Sequence, residues 1–224
     1  MSSRPDGTDF QDLVTGLQTL PDGIAVDTKN HQLYWTNMGD PMVNGGSMQR
    51  CDVSGANIVT FISSGVTNTP KQLKIPRNQI YWCDREGMRI MRADLDGSNV
   101  EVLYHAGSSD DDREDRRNWC VGIAVDDVRG KLYWSQKGPS KGGQGKIMCM
   151  TLAPHGEANT TTSLREVHTV LDNLPEPIDF ELEPNTNTFY WTDRGDPPFG
   201  HTVNAFPLDA AHKVGLMAVR VLVQ

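Results

Sequence analysis

A four-residue phrase, Leu33-Tyr34-Trp35-Thr36, returns as Ile80-Tyr81-Trp82-Cys83, Leu132-Tyr133-Trp134-Ser135 and Phe189-Tyr190-Trp191-Thr192. The chain is therefore a tandem array. The four tyrosines are spaced by 47, 52 and 57 residues, the length that a four-stranded propeller blade occupies and longer than most helical repeats. Four of the five tryptophans sit inside the phrase, so the repeat itself carries the aromatic core.

Each phrase has the same surroundings. Segments 23–27, 122–126 and 179–183, with the shorter 72–76 in the second copy, read as a first strand that a turn-rich connector joins to the phrase. The phrase is the second strand. A third follows at 47–51, 89–93, 146–150 and 201–205, and a fourth at 58–62, 100–104 and 167–171, with Asp52-Val53-Ser54-Gly55 and Asp94-Leu95-Asp96-Gly97 as the turns between them. Successive side chains on a strand point to opposite faces, so Tyr and Trp side by side leave no wet side. Sheets covered on both faces fit blades stacked around an axis, and the small residues Gly23, Ala25, Gly122 and Ala124 suit first strands that converge there. Helical periodicity is absent throughout.

These residues resemble a known family. Tyr34-Trp35-Thr36-Asn37, Tyr81-Trp82-Cys83-Asp84 and Tyr190-Trp191-Thr192-Asp193, with the segment 89–98, are similar to the YWTD repeat, class B of the low-density-lipoprotein receptor, which builds six-bladed, TolB-like propellers. The resemblance runs from about Leu20 to Leu208. The third copy departs from it, with Ser135-Gln136 in place of Thr-Asp and no Asp-Gly turn after Met150. The resemblance implies that the acid closing the phrase ties the second strand to its neighbours, a role carried to Asp84 and Asp193.

The expected fold is all-β: four-stranded antiparallel meanders in one domain, a lone outer strand at 8–19 and blades at 20–69, 70–117, 118–173 and 174–224. Six blades of roughly 40–45 residues need roughly 240–270, and the chain has 224. An open arc of about four blades is the favoured reading, a truncated member or fragment of the family. A four-bladed ring closed by residues 10–16 and assembly with a second chain remain as alternatives. Terminal faces without polar caps would promote self-association.

With 21 basic and 29 acidic residues the net charge is −8, which disfavours nucleic acid as a partner. No stretch reaches membrane-spanning length and residues 1–7 lack an apolar signal core, so a cytoplasmic location and no membrane partner are expected. Cys51, Cys83, Cys120 and Cys149 form no Cys-x-x-Cys pair and are expected as buried free thiols. Asn159-Thr160-Thr161 matches a glycosylation acceptor, read here as an ordinary polar loop.

Connectors from second to third strand, and from fourth strand to the next first strand, emerge on one face of a propeller. Several are long, and Gly-Asp-Pro recurs at 39–41 and 195–197. Turn chemistry accounts for that motif. The functional alternative is a binding rim made by Asp40, Asn44, Lys137, Lys141, Arg194 and Asp196. Acids and arginines alternate in 108–118, which reads as a solvated, mobile loop without calcium-loop spacing, with Trp119 anchoring it. The six histidines follow no ligand spacing, and no nucleophile elbow or phosphate-cradling loop occurs. The expectation is a non-catalytic scaffold for a protein or small ligand, with no cofactor, metal or catalytic residue. The alternative is a lactonase-like metal hydrolase of a small sugar-like substrate, using axial acids from among Asp22, Asp27, Asp126, Asp179 and Glu181.

Overall fold

The computed structural model describes residues 1–152, 166–208 and 219–223. Four antiparallel sheets of four strands each follow one another, every one a meander in chain order. Blade 1 comprises β1 (Leu20–Asp27), β2 (Gln32–Met38), β3 (Gly46–Asp52) and β4 (Val59–Thr67), and blade 2 comprises β5 (Pro70–Lys74), β6 (Gln79–Asp84), β7 (Arg89–Asp94) and β8 (Glu101–His105). Blade 3 holds β9 (Cys120–Asp126), β10 (Lys131–Gln136), β11 (Gly145–Thr151) and β12 (Val167–Leu174), and blade 4 holds β13 (Pro177–Glu183), β14 (Thr188–Asp193), β15 (Thr202–Pro207) and β16 (Arg220–Val223). The inner strands pack in series, β1 on β5, β5 on β9 and β9 on β13. The result is a four-bladed β-propeller arrangement. The histidines at 155 and 212 and the motif at 159–161 lie outside the described residues.

The repeated phrase makes the junctions between blades. Tyr34 packs in one cluster with Trp82, Tyr81 with Trp134, and Tyr133 with Trp191, so the Tyr of each blade meets the Trp of the next. The residue after Trp adds a polar link. Thr36 Oγ1 accepts from Gly23 N–H at 2.8 Å and donates to the Lys71 carbonyl at 2.9 Å, and Ser135 Oγ accepts from Gly122 N–H at 2.8 Å and donates to the Ile178 carbonyl at 3.2 Å. Cys83 Sγ donates to the Gly122 carbonyl at 3.2 Å. Each link runs from one blade to the inner strand of the next. Gly23 and Gly122 are required at these crossings because a Cβ would lie 2.5 Å from the Lys71 oxygen and 2.6 Å from the Ile178 oxygen.

The array has two unlike ends. Tyr34, Tyr81 and Tyr133 are at most 6% exposed, whereas Tyr190 is 38% exposed and Thr192 beside it lies open. At the other end Trp35 stays buried. Residues 1–17 fold back there and, with Ile24, Val26, Leu33 and Trp35, enclose a cleft of about 630 Å³ lined by Leu13, Val14 and Leu17.

Two expectations need correction. The segment 8–19 forms no lone outer strand, since up to Thr19 its one bridge pairs Gln11 with Ser2. Nor does it close a four-bladed ring, because β16 is the outer strand of blade 4. Its packing nevertheless imitates an outer strand. A Cβ on Gly55 in the β3–β4 turn would strike the Leu13 carbonyl, as one on Gly97 in the β7–β8 turn would strike the Phe61 carbonyl of β4. All four cysteines are buried free thiols.

Because Tyr133 has aromatic partners on the neighbouring blade and Tyr190 has none among the described residues, Tyr133→Ala is expected to lower stability by about 3–5 kcal/mol. Tyr190→Ala is expected to cost less than about 1 kcal/mol. Urea unfolding reads both, and equal losses would refute the assignment of faces.

Candidate functional site

Loops 39–45, 85–88, 106–119, 137–144 and 194–201 share one face, and their bases are fixed by a repeated device. The backbone N–H after each phrase donates to the residue that precedes the inner strand: Arg85 to the Thr69 carbonyl, Lys137 to Trp119 and Arg194 to Glu176, at 3.0–3.1 Å. The acid closing the phrase adds side-chain acceptors. Asp84 takes the N–H groups of Asn68 at 2.9 Å and Thr69 at 2.8 Å and pairs with Arg89, while Asp193 takes those of Glu176 and Gly195 at 2.8 Å. Asn37 in blade 1 instead accepts from Thr19 Oγ1 at 2.7 Å.

Gly-Asp-Pro forms pinched loops. A Cβ on Gly39 would overlap Gly45, and one on Gly200 would overlap Gly195, so the two sides of each loop touch at the neck. The Asp40 carbonyl accepts from Gly45 N–H at 3.1 Å, and the Asp196 carbonyl from Gly200 N–H at 3.0 Å. Asp40 Oδ1 also accepts from Met42 N–H at 2.9 Å.

The proposed rim residues fall into two groups. Asp40 and Asn44 stand over blades 1 and 2, with Asn44 Oδ1 accepting from Asn68 Nδ2 at 3.3 Å. Lys137, Lys141, Arg194 and Asp196 gather over blades 3 and 4, where Lys141 pairs with Asp196 at 2.9 Å. Lys137 is not a surface group. It is buried and donates to Glu176 Oε1 at 2.9 Å, and Glu176 also accepts from Arg194 and from Ser140 Oγ at 3.0 Å.

The segment between the groups is solvated, as expected, with no buried residue in either of its short helical turns, and it carries its own local hydrogen bonds. Ser109 caps α1 (Asp110–Glu114), Asp112 accepts from Ser108 and Ser109 N–H, and a 3-10 turn follows at Arg116–Asn118. Arg113 donates to the Pro41 carbonyl at 3.0 Å on one side, and Trp119 Nε1 donates to the Arg113 carbonyl at 2.7 Å on the other. Sequence reasoning missed Glu176, Arg85 and Arg116. For Glu176 the available signal was a lone acid between Pro175 and Pro177 at a blade junction.

The axial acids also resolve. Asp27 and Asp126 accept from backbone N–H groups two and three residues onward and so build hairpin turns. Asp22 pairs with Lys71, and Glu181 with Lys74. Burial raises the Asp179 carboxyl above its ordinary value against the opposing charge of Lys74. Among the described residues no three His, Cys, Asp or Glu side chains converge as a metal site requires.

No family profile matches the chain. A low-density lipoprotein receptor-related protein 1 from Pyricularia oryzae is 47% identical over 211 residues, which cover 91% of this chain and 67% of that protein. The chain belongs to the family of that receptor-related protein. A relative named 3-hydroxyacyl-CoA dehydrogenase-like protein LAM1, from Cochliobolus heterostrophus, is 42% identical, and the match covers 86% of this chain but 41% of that protein. The chain thus spans about two thirds of the first relative and less than half of the second. Among solved structures, a nidogen/laminin complex matches with a TM-score of 0.68 at 20% identity, over 92% of this chain and 65% of that one. A putative 6-phosphogluconolactonase from Bacteroides uniformis matches with a TM-score of 0.54 at 13% identity, over 98% and 62%. At these identities the structural likenesses speak for the propeller fold alone.

In this YWTD-type propeller the blade anchors differ in charge balance. Asp84 faces Arg89 across the β6–β7 ladder, but Asp193 faces the neutral Thr202 across β14–β15. Burial pushes Asp193 up to about 6, with the nearby Glu176 charge adding to it against two backbone N–H bonds. Burial also acts to raise Glu176, but the Arg194 and Lys137 hydrogen bonds outweigh it and hold it at about 2. An acid with a higher pKa folded than unfolded binds more protons when folded, so its effect is to lower stability as pH rises from about 3.8 to about 6. Glu176 acts oppositely, stabilising above about 4.5 and losing that contribution as pH falls toward about 2. Asp193→Asn is therefore expected to remove a fall of about 2 kcal/mol between pH 4.5 and 7. Urea melts across that range check it, and an unchanged slope would contradict the assignment.

Proposed function

We propose that this chain is a non-catalytic, protein-binding scaffold whose partner docks on the face built by loops 39–45, 106–119, 137–144 and 194–201. The observation that carries the reading is the bracing of that face. Its long loops are pinched at their necks and tied to the blades by buried acid and backbone anchors, which fixes a broad polar surface in advance of contact. Kinship with a receptor-related protein supports it.

A metal-hydrolase reading draws on the axial carboxylates and on the lactonase-like fold. The axis argues against it, because the Lys71 and Lys74 ammonium groups already neutralise Asp22 and Glu181. Dialysis against a chelator is expected to leave the melting curve unaltered, and loss of stability with release of a stoichiometric cation would favour the hydrolase.

Six-bladed geometry belongs to the same reading. Residues 10–16 lie against blade 1 as an outer strand lies against the following blade, and roughly a third of the first relative falls outside the match. Protein from the natural source is expected to exceed 24.8 kDa by about two repeats. A monomer of 24.8 kDa would sink this part of the proposal.

For the binding face, the swap Lys141→Glu with Asp196→Lys keeps an ion pair but reverses its charges. Stability should change by less than about 1 kcal/mol, while cross-linked capture of the natural partner falls at least about tenfold, a loss of roughly 1.4 kcal/mol. An equal loss from Arg77→Gln, on the opposite face, would refute the placement.

A further inference from the structure

The half-buried ring of Trp119 is surrounded by cations. The Arg85 guanidinium carbon lies 5.0 Å from the ring centroid, Lys137 Nζ 5.3 Å and the Arg116 guanidinium carbon 5.6 Å. Arg194 joins the group through Glu176, which also binds Lys137. Four positive charges thus face two carboxylates, those of Glu86 on Arg85 and of Glu176 on Lys137 and Arg194. Both carboxylates are buried beneath the cations, with Glu176 fully covered. The Arg194 side chain is 62% exposed, Arg116 is exposed, and among the described residues no carboxylate lies within ion-pair distance of Arg116. The mutual crowding is felt by Lys137, whose pKa is lowered first by burial and further by Arg194 and Arg116, against the Glu176 pair.

This differs from the arginine-lined cleft of about 390 Å³ on the opposite face. There Arg77 is neutralised by Asp127, Arg92 by Glu101 and Arg129 by Asp126. Over Trp119 the compensating acids Glu86 and Glu176 are buried while Arg116 and Arg194 are exposed, with the acids of α1 standing beside them.

We propose that Arg116, Arg194 and the Trp119 ring form a recognition site for an acidic peptide segment of the docked partner. A carboxylate would take the outward N–H groups of Arg116 and Arg194, and an adjoining apolar side chain would rest on the indole that the cations leave open. A peptide suits the site better than an isolated anion because Arg116 lies over an aromatic ring, so a carboxylate and an apolar side chain can be taken side by side. The inference rests on the reading that this face docks a protein.

The probe is a fluorescein-labelled peptide of alternating Glu-Leu-Glu units, titrated by anisotropy at low and moderate salt, with a Lys-Leu-Lys peptide as its counterpart. Binding of the acidic peptide that weakens with salt, at least a tenfold loss in Arg116→Glu and in Arg194→Gln, and unchanged binding in Arg77→Gln would support the site. Among the described residues Arg116 makes no ion pair, so its variant is expected to melt like the parent, which separates lost binding from lost folding. No binding by the parent protein, equal binding of the basic peptide, or indifference to both substitutions would overturn it. Should the Lys141→Glu, Asp196→Lys swap abolish partner capture while Arg116→Glu leaves it intact, this proposal fails and the docking face stands. If neither variant affects capture, both fail.

Discussion

The junction between neighbouring blades governs this structure. A strand that carries Tyr and Trp in succession must bury two opposite faces, and no isolated sheet can do that. Stacking solves the problem only by passing it on. Each blade covers the Tyr of its predecessor and exposes its own, so the array propagates until something unlike a blade ends it. The last residue of the phrase makes the stacking directional, since its Thr, Cys or Ser donates to a carbonyl on the next inner strand. A buried carbonyl left without that donor would carry a desolvation penalty of about 1–3 kcal/mol, which sets spacing and tilt more sharply than apolar contact could. Close approach of the inner strands then excludes a side chain at Gly23 and Gly122.

Much of this was readable in the sequence, because period, alternation and turn chemistry are local properties. The phrase located every second strand, and the turn residues around Asp52 and Asp94 located the hairpins. What the phrase could not disclose was its partner. Thr36, Cys83 and Ser135 look like a degenerate position until the structure brings Lys71, Gly122 and Ile178 beside them, each in a different blade. Asp27 and Asp126 looked eligible for the axis because they close an inner strand, yet a carboxylate two residues before a backbone N–H is more readily satisfied by its own turn. The alternating charges of 108–118 indicated solvation, which the exposure of that loop bears out, whereas capping by Ser109 and Asp112 and the bond from Arg113 to Pro41 are contacts of geometry that composition does not disclose.

The candidate site was partly legible. Loop length and the repeated Gly-Asp-Pro pointed to the face whose loops the structure braces, while Lys137 illustrates the limit of choosing charged residues by position alone. Its ammonium is spent on Glu176, and its energetic importance is structural: removing either partner would strand a buried charge. Arg116 is the converse case. It sits in a run of charges where no periodicity singles it out, and only the fold places it over Trp119 with its acids elsewhere.

The same distribution of charge explains how one scaffold can keep fold and recognition apart. Carboxylates that hold the blades, Asp84, Asp193 and Glu176, lie beneath the surface and act on backbone N–H groups or on buried cations. Those groups are fixed by the repeat and tolerate little change. The guanidinium groups above them are long, exposed on their outer edges and bound to the blades by one contact each or by an aromatic ring. Substitution there alters the potential seen by an approaching partner without disturbing the ladder below, because exposed charges contribute little to folding and much to encounter and orientation. Asp193 marks where the separation is least complete. It lacks the cross-strand arginine that Asp84 enjoys, and burial, with the Glu176 charge adding to it, pushes its carboxyl up to about 6. An anionic partner drawing Arg194 outward would weaken its hold on Glu176, leave more negative charge beside Asp193 and favour the protonated form of that anchor. On the proposed reading, recognition at this rim and the state of the junction between blades 3 and 4 would be linked through one buried glutamate.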